Sequence, residues 1–352
     1  MPILSIAIRE GHCTGSSEFK AMERTLGKVS IIIPCCNEEG NILILYRRII
    51  ESLRGNRDYE IIYVDDGSSD NTLNNIVDLA KRDENVKYIS FSRNFGHQNA
   101  LKAGLDHAAG ECVISMDADM QHPPELIGEM IEKWREGYDI VYTIRDDSSD
   151  QNVFKKMTSL LFYRMINWLA NLKLYQGVAD FRLLDSSVVR VIKNFNETFL
   201  FFRGLIEWIG FKQFGITYTP RERYSGRTKY SLRKMIAFAL AGITSFSVKP
   251  LHLATLSGFL LSGLSGLYGL YALYIYFFTG RVIQGWTSVL VSVLFIGGFQ
   301  LIILGIIGEY IGKMFIEGKK RPNYIKGGSR LAPPHAAFNY APSRSHRLHH
   351  LQ

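Results

Sequence analysis

Three groups of acidic side chains each follow a short apolar run of the sequence. The apolar runs are 29–34, 59–64 and 112–116, and the acidic segments that follow them are 38–39, 65–70 and 117–119. Carboxylates that converge at the ends of neighbouring strands repel one another unless a cation or a hydrogen-bond donor is present. A divalent metal that carries a diphosphate supplies the missing positive charge, and hard oxygen ligands favour Mg²⁺ or Mn²⁺.

The pair Asp117 and Asp119, separated by Ala118, has the spacing of a metal site. The single intervening residue lets both carboxylates lie near one ion, which bridges diphosphate oxygens and stabilises a leaving nucleoside diphosphate. There is no G-x-x-x-x-G-K-[ST] loop and no G-x-G-x-x-G after the first run, so neither a P-loop nor a dinucleotide fingerprint holds phosphate. The alternative to ligand binding, for each loop taken singly, is a structural role in which the polar side chains form turns and cap helices. In that case Asp70 caps a helix that begins near Thr72.

The elements that must position these groups alternate along the chain. Strands are predicted at 29–34, 59–64, 86–91 and 112–116, and helices at 41–54, 72–83 and 98–109. Strands separated by helices of that length predict an α/β fold, with a mostly parallel sheet and helices on both faces. Ligands of such sheets bind at the carboxyl ends of the strands, where the acidic segments stand.

Two long uncharged stretches predict transmembrane helices. Residues 251–278 and 286–308 contain no Asp, Glu, Lys or Arg, and about 20 apolar residues are enough to span a bilayer. Buried core helices are the alternative, but core helices of this length normally keep one polar face. Residues 231–248 have apolar side chains along one helical face, which predicts an interfacial amphipathic helix on the membrane or an ordinary one packed on the domain.

The formal net charge of +8 is concentrated beside these stretches. The basic residues before the first stretch are Arg221, Arg223, Arg227, Lys229, Arg233, Lys234 and Lys249, and those after the second are Lys313, Lys319, Lys320, Arg321 and Lys326. The connecting loop has only Arg281, so the positive-inside rule predicts a cytoplasmic N-terminal domain and two cytoplasmic termini. Anionic headgroups are nearer partners for this charge than nucleic acid, which we exclude as a partner.

Six segments are predicted from these patterns. Residues 1–28 and 331–352 have the composition of a disordered or artificial leader and tail, and they flank a domain at 29–230, the amphipathic segment at 231–248, two spans within 249–310 and a basic cytoplasmic segment at 311–330. The four cysteines have neither metal-ligand nor disulfide spacing, which indicates a reduced compartment. Gly258, Gly263 and Gly266 permit close helix packing, either in a homo-oligomer or against the second span of the same chain.

Three of the motifs resemble those of the family-2 inverting glycosyltransferases of GT-A fold. They are the runs 29–41, 64–70 and 116–125. The runs 177–185 and 221–231, together with two C-terminal spans, resemble the polyprenyl-phosphate branch, which includes dolichyl-phosphate mannose synthases and bactoprenol glucosyltransferases. The resemblance covers about 29–326 and implies inverting transfer of a hexose from a nucleotide sugar to a polyprenyl phosphate at a bacterial inner membrane. UDP-glucose and undecaprenyl phosphate are the favoured pair, with GDP-mannose or an amino-sugar donor as alternatives.

The resemblance also implies roles for individual residues on the donor side. The residues that surround the nucleoside would be Pro34, Cys36, Glu38, Val64 and Asp66. Asp117, Ala118, Asp119 and Gln121 would line the diphosphate and the metal, with Asp119 the favoured direct ligand. Arg223 and Lys229 would close over the donor phosphates, and binding of lipid headgroups is their alternative role.

The acceptor side is implied by the segment Asp180, Phe181, Arg182, together with the basic residues Arg221 and Arg227. An arginine in this segment would offer two N–H donors to a lipid phosphate. A structural Asp–Arg pair is the alternative. Because a phosphate monoester is already ionised at neutral pH, its oxygen needs no strong general base, and catalysis would rest on positioning and charge stabilisation.

Two other classes of protein would share some of these features. A processive polysaccharide synthase would share the nucleotide motifs, but it would have more spans and a Gln-x-x-Arg-Trp signature, which is absent from the sequence. A membrane receptor or scaffold that had lost catalysis would be expected to lose Asp117 or Asp119, and both are present.

Overall fold

The computed structural model describes residues 24–53, 58–145, 164, 167–169, 177–219, 243–245, 247–279 and 285–331. Strands and helices alternate through the first half of these residues. The strands are β1 (Val29–Cys35), β2 (Tyr59–Asp65), β3 (Val86–Phe91), β4 (Cys112–Ser115), β5 (Ile140–Arg145), β6 (Val178–Asp185), β7 (Gln213–Tyr218) and β8 (Lys326–Arg330). The helices are α1 (Ile42–Ser52), α2 (Thr72–Arg82), α3 (His97–His107), α4 (Ile127–Arg135), α5 (Ser186–Lys193), α6 (Phe202–Ile209), α7 (Lys249–Thr279) and α8 (Trp286–Gly318).

The strands form one mixed sheet in the order β7-β5-β6-β4-β1-β2-β3-β8. The central strands β4, β1, β2 and β3 are parallel to one another, and β5 is parallel to β7. Strand β6 is antiparallel to β4 and β5, and β8 is antiparallel to β3. The predicted α/β fold with a mostly parallel sheet is therefore confirmed, and the first four strands begin at the predicted residues.

The central strands are mostly apolar because helices cover both faces of the sheet. In β1, Ile31 and Ile33 pack into the cluster on the α1 and α4 face, whereas Ile32 packs into the cluster on the α3 face. Helix α3 lies very close to β1, since a Cβ atom added at Gly104 would lie 2.2 Å from Cγ2 of Ile32. Burial on both faces fixes β1 at the centre of the domain, with its carboxyl end beside those of β2 and β4.

Helices α7 and α8 are the two long apolar helices that the sequence predicts. Each contains a stretch long and apolar enough to cross a membrane, Lys249–Tyr271 and Val291–Gly318, and neither stretch is buried against the rest of the chain. Large apolar side chains such as Phe259, Phe278 and Leu301 are more than two-thirds exposed. Apolar side chains on all sides are typical of membrane helices. The predicted amphipathic segment at 231–248 lies largely outside the described residues.

The chain returns from α8 to the edge of the β-sheet. At the end of α8, the Glu317 carboxylate accepts hydrogen bonds from the Thr198 N–H (2.7 Å) and hydroxyl (3.1 Å). Beyond α8, Tyr324 stacks on Phe91 with ring centroids 5.0 Å apart, and β8 then pairs with β3. The basic segment 311–330 thus contains the end of α8 and an edge strand of the sheet.

The close approach of α3 to β1 predicts a stability effect at Gly104. We expect Gly104→Ala to destabilise the protein by about 1–3 kcal/mol, because the new methyl group would overlap Ile32. The measurement is the thermal unfolding midpoint of the full-length protein in detergent, which should fall by several degrees.

Gly128 in α4 provides the matched control. An added Cβ at Gly128 would meet no atom within 4 Å, so Gly128→Ala should raise the midpoint slightly through its higher helix propensity. Equal midpoints for the Gly104 variant and the unmodified protein would contradict the close packing of α3 on β1.

Candidate active site

The loops after β1 and β2 are joined by hydrogen bonds. The Asn37 N–H donates to the Ser68 hydroxyl (3.0 Å), and the Ser69 N–H donates to the Asn37 side-chain oxygen (2.8 Å). The Glu38 N–H donates to the Thr72 hydroxyl (2.8 Å). Asn37 has a φ of 57°, a left-handed conformation that asparagine tolerates. The two predicted polar segments therefore form one continuous surface at the carboxyl edge of the sheet.

Two of the acidic side chains have a structural role in turns, which was the alternative to ligand binding. Oδ1 of Asp70 accepts hydrogen bonds from the Thr72 N–H (3.0 Å) and hydroxyl (2.5 Å) at the start of α2. Asp65 accepts from the Ser68 N–H (3.2 Å) and the Ser90 hydroxyl (3.1 Å). Donors from the protein itself therefore compensate these carboxylates. The N-cap residue of α2 is Asn71, whose side chain makes no cap bond, so Asp70 closes the turn before the helix and does not cap it as predicted.

Asp66 holds the loop that leads from β3 into α3. Its buried carboxylate accepts hydrogen bonds from the N–H groups of Phe95 (2.6 Å) and Gly96 (3.0 Å). Burial raises the pKa of Asp66 above its ordinary value, although both N–H donors oppose that shift. Asn94 in the same loop donates to the Asp66 carbonyl (3.2 Å) and to Sγ of Cys36 (3.3 Å). This loop was not predicted to belong to the site.

The other residues predicted to surround a nucleoside lie at the same edge of the sheet. Pro34 and Val64 are adjacent in the β1–β2 register, and both are buried, with Val64 in the core on the α3 face. Cys36 and Glu38 are half-buried, and the Glu38 carboxylate accepts from the Asn41 amide (2.6 Å). The strand ends bring the predicted set together, but the Val64 side chain packs in the core.

Asp117 stands between two histidines at the end of β4. Its N–H donates to Nδ1 of His122 (3.0 Å), and one carboxylate oxygen lies 3.5 Å from Nε2 of His97. The His122 ring is buried and stacks on Phe181, with centroids 5.4 Å apart. Phe181, predicted on the acceptor side, is therefore a buried support beneath the Asp-x-Asp segment.

Asp119 closes the turn that begins at Asp117. Its Oδ1 accepts from the Gln121 N–H (3.1 Å), and Met120 between them has a φ of 67°. The Gln121 side-chain oxygen accepts from Nη1 of Arg145 (3.4 Å), which comes from the end of β5. Ala118 is buried, whereas Asp117 and Asp119 are both partly exposed. The turn thus leaves the Asp117 and Asp119 carboxylates partly exposed, and Gln121 brings the Arg145 guanidinium group beside it.

The Asp180 carboxylate is surrounded by two guanidinium groups and an imidazole. Arg203 in the first turn of α6 donates two hydrogen bonds to it (3.0 and 3.2 Å), Nη2 of Arg182 lies at 3.8 Å, and Nε2 of His97 lies at 3.8 Å. Burial favours the protonated acid, but the two arginines outweigh burial and hold the pKa of Asp180 well below its usual range. An Asp–Arg pair is present, and Arg203 is its closer member.

Arg182 itself is a buried side chain. Its Nε donates to the Ala179 carbonyl (3.2 Å), and its side chain is only 5% exposed. Burial lowers the pKa of Arg182 to about 10, so the guanidinium remains charged at neutral pH. The other predicted basic residues, Arg221, Arg223, Arg227 and Lys229, lie outside the described residues.

Asp117 and Asp119 fit a divalent metal by the chemistry of their donors. Both are partly exposed carboxylates at the carboxyl end of a parallel strand, and Mg²⁺ and Mn²⁺ prefer such oxygen ligands. Within the described part of the chain, no group of three or more His, Cys, Asp or Glu is arranged to hold a metal. A metal at this pair would need diphosphate or water oxygens to complete its coordination, as nucleotide-bound Mg²⁺ commonly does.

Sequence reasoning missed His97, Asn94, Arg145 and Arg203. Asn94 lies in a loop with no acidic motif, and His97 is the first residue of α3 directly after that loop. Arg203 is one of two charged residues in an otherwise mostly apolar helix. The polar segment after β3 was a usable signal, because a parallel strand beside β2 must end at the same edge of the sheet.

The anchoring of the β3–α3 loop predicts a local effect at Asp66. We expect Asp66→Ala to destabilise the protein by about 1–3 kcal/mol, because the Phe95 and Gly96 N–H groups lose their acceptor. Hydrogen exchange should increase selectively in a peptide that contains these two amides. Asp66→Asn keeps one acceptor oxygen and should have an intermediate effect.

Asp78 on α2 provides the control, since its side chain is 59% exposed and contacts Lys81. Asp78→Ala should leave exchange in the β3–α3 loop unchanged. Exchange that stays slow in Asp66→Ala would show that the loop is held by other contacts.

Comparison with known proteins identifies the family. Residues 30–192 match the model of glycosyl transferase family 2. The uncharacterized glycosyltransferase YkcC of Bacillus subtilis is 45% identical over 84% of this chain and 92% of its own length. The prophage bactoprenol glucosyl transferase homolog of Escherichia coli is 42% identical over 85% of this chain and 98% of its own, and the bactoprenol glucosyl transferase of Shigella phage SfV is 41% identical over 85% and 97%.

Among solved structures, the mannosyltransferase PcManGT from Pyrobaculum calidifontis, in complex with GDP-Man and Mn²⁺, is 18% identical over 62% of this chain and 63% of its own, with a TM-score of 0.44. The sequence relatives confirm the resemblance seen in the motifs, and each of them covers 84% or 85% of this chain. The chain belongs to glycosyl transferase family 2 and is a glycosyltransferase.

Proposed function

We propose that this enzyme transfers glucose from UDP-glucose to undecaprenyl phosphate at the cytoplasmic face of a bacterial inner membrane. The observation that carries the proposal is the 41% identity to proteins named bactoprenol glucosyl transferases, which extends over 85% and 87% of this chain. The position of His97 supports a shared site, because its Nε2 lies 3.5 Å from Asp117 and 3.8 Å from Asp180. One imidazole thus contacts both the donor-side motif and the segment predicted on the acceptor side.

On the donor side, Asp117 and Asp119 would hold Mg²⁺ or Mn²⁺. When bound, such an ion supplies positive charge that stabilises a departing diphosphate. The loops after β1 and β2 would bind the nucleoside between the half-buried Cys36 and Glu38. Asp66 would act indirectly, because its carboxylate is occupied by the β3–α3 loop that presents His97.

On the acceptor side, an oxygen of the lipid phosphate would attack the anomeric carbon. The new carbon–oxygen bond forms as the bond from that carbon to the UDP oxygen breaks. The products are UDP and undecaprenyl phosphate glucose, in which the configuration of the anomeric carbon is inverted. A phosphate monoester is already anionic at neutral pH, so no residue has to remove a proton. The protein contributes orientation and positive charge.

Helices α7 and α8 would anchor the domain beside its lipid substrate. Their apolar stretches support two membrane spans. The basic residues at the start of α7, Lys249, and near the end of α8, Lys313 and Lys319, support a cytoplasmic catalytic domain by the positive-inside rule. A membrane-bound acceptor presents its phosphate at the bilayer surface. Two membrane-spanning helices with the catalytic domain on the cytoplasmic side would therefore keep the active site close to that phosphate.

The first test is sugar transfer by the purified full-length protein in detergent. Undecaprenyl phosphate is incubated with radiolabelled UDP-glucose, UDP-galactose, UDP-N-acetylglucosamine or GDP-mannose, with Mg²⁺ or Mn²⁺ and with or without EDTA. We expect a chloroform-soluble product from UDP-glucose that disappears with EDTA. A product from another donor only would reassign the sugar, and binding of no nucleotide at all would overturn the proposal.

The metal assignment predicts the effect of a substitution at Asp119. We expect Asp119→Ala to lower kcat/KM by about 100-fold or more, because positive charge at the leaving group would be lost. Membrane insertion should be unchanged, since Asp119 lies far along the chain from both apolar helices. Asp78→Ala is the matched control and should keep full activity; transfer by Asp119→Ala at the unmodified rate with metal present would refute the assignment.

A further inference from the structure

Helix α8 is longer than a bilayer requires. It has 33 residues, which at 1.5 Å per residue make about 50 Å, whereas the hydrocarbon core is about 30 Å thick. Its uncharged part ends at Gly308, and Glu309, Lys313 and Glu317 then follow at intervals of four residues. Side chains four residues apart share one face of a helix. The end of α8, 309–318, thus continues from the uncharged part as one helix with a charged face.

This charged face contacts a short segment of the catalytic domain. The half-buried Glu317 accepts hydrogen bonds from the N–H (2.7 Å) and the hydroxyl (3.1 Å) of Thr198. One turn earlier, Nζ of Lys313 lies 5.4 Å from the centroid of the Phe199 ring. Two charged side chains of α8 are therefore directed at two adjacent residues of the domain.

The preceding residue, Glu197, also contacts the chain near the end of α8. The side-chain amide of Asn323, just after α8, donates to the Glu197 carbonyl (3.0 Å). Burial, and after it the charge of the nearby Glu317 carboxylate, raise the pKa of Glu197 above its ordinary value. Glu317 thus lies close to a second carboxylate, and the Thr198 donors hold it there. Residues 197–199 are named the docking segment.

The docking segment leads directly into the candidate active site. At the start of α6, the Phe202 N–H donates to the side-chain oxygen of Gln98 (3.1 Å), which follows His97 in α3. The next residue, Arg203, donates two hydrogen bonds to the Asp180 carboxylate (3.0 and 3.2 Å). From the docking segment to Arg203 the chain can span no more than about 18 Å. A short stretch, bonded at one end to α8 and at the other to the site, therefore connects the two.

We propose that Glu317 is a positioning residue for the lipid acceptor, because it holds the site at a fixed height and orientation relative to the bilayer. The inference rests on the proposed function, since it assumes a membrane-bound polyprenyl phosphate. An acceptor held in the membrane meets the donor only where the site lies, and a misplacement of about 1 Å lowers a rate by about 100-fold. A nucleotide sugar arrives from solution, so donor binding does not depend on this orientation.

The test compares a membrane-bound acceptor with a soluble one. The full-length enzyme is reconstituted in nanodiscs of phosphatidylethanolamine and phosphatidylglycerol, and the acceptors are undecaprenyl phosphate in the nanodisc and a short-chain, water-soluble prenyl phosphate. We expect Glu317→Ala to lower kcat/KM for undecaprenyl phosphate by about tenfold, the scale of the hydrogen bonds to a carboxylate that are lost. Transfer to the soluble acceptor and the KM for UDP-glucose should stay within about twofold.

Two further variants accompany Glu317→Ala. Glu317→Gln keeps an acceptor oxygen for the Thr198 N–H, so it should restore most of the transfer to undecaprenyl phosphate. Glu129→Ala is the matched control, since Glu129 is exposed on α4, and α4 and α6 pack on opposite faces of the sheet. Glu129→Ala should leave transfer to both acceptors unchanged.

An unchanged rate with undecaprenyl phosphate in Glu317→Ala, or an equal fall with both acceptors, would overturn the inference. If Glu317→Ala does not fold, Thr198→Val decides by the same comparison, because it removes only the hydroxyl bond to Glu317. If the unmodified enzyme does not use the soluble acceptor, the KM for UDP-glucose takes its place. A constant donor KM with slower lipid transfer then supports the inference, and a rise in donor KM that matches the loss rejects it.

Transfer by the unmodified enzyme is measured first and distinguishes two kinds of failure. If the unmodified enzyme transfers sugar to no polyprenyl phosphate, the proposed function fails and takes this inference with it. If transfer is normal and Glu317→Ala keeps the full rate with undecaprenyl phosphate, the inference alone fails.

Discussion

Repulsion between carboxylates at the carboxyl edge of the sheet is the constraint on which the site depends. The parallel order of β4, β1 and β2 brings their acidic loops side by side, so each carboxylate needs a compensating partner. Asp65 and Asp70 take N–H donors from their own loop, and Asp66 takes them from the β3–α3 loop. These bonds shape the edge and leave a smaller, partly exposed pair at the end of β4. The carboxylates that hold the loops thus have donors from the protein, whereas the pair at the end of β4 is the one that we propose to bind a metal.

The apolar runs of the chain were sufficient to predict the first four strands, which form the parallel part of the sheet. A strand buried on both faces is mostly apolar, so β1, β2 and β4 stand out as short segments rich in Val and Ile. The helix after each strand is the crossover that lets the next strand run parallel to the first. Strand β8 could not be found in this way, because Lys-Gly-Gly-Ser-Arg has no apolar side chain and forms a strand only where β3 offers an edge.

The site was predictable where a motif is continuous in sequence and not where the fold assembles it. The Asp-x-Asp turn is local, so its residues could be named from spacing. Arg203 reaches Asp180 only because α6 packs beside the end of β6, and nothing in its own neighbourhood distinguishes it from a surface arginine. Long-range charge pairs depend on the packing order of elements, which spacing does not encode.

The pairing of β8 with β3 also affects how the domain would behave without the long apolar helices α7 and α8. Without β8, the N–H and C=O groups of β3 would form an open edge, the kind of surface on which sheets from separate molecules join. In the intact chain that edge is covered by a short strand with exposed Gly328 and a charged residue at each end, which resists further pairing. A fragment that stops before α7 lacks this cover and the Tyr324 ring on Phe91. Such a fragment would tend to self-associate through its sheet, so solubility of the catalytic domain depends on residues that follow α7 and α8.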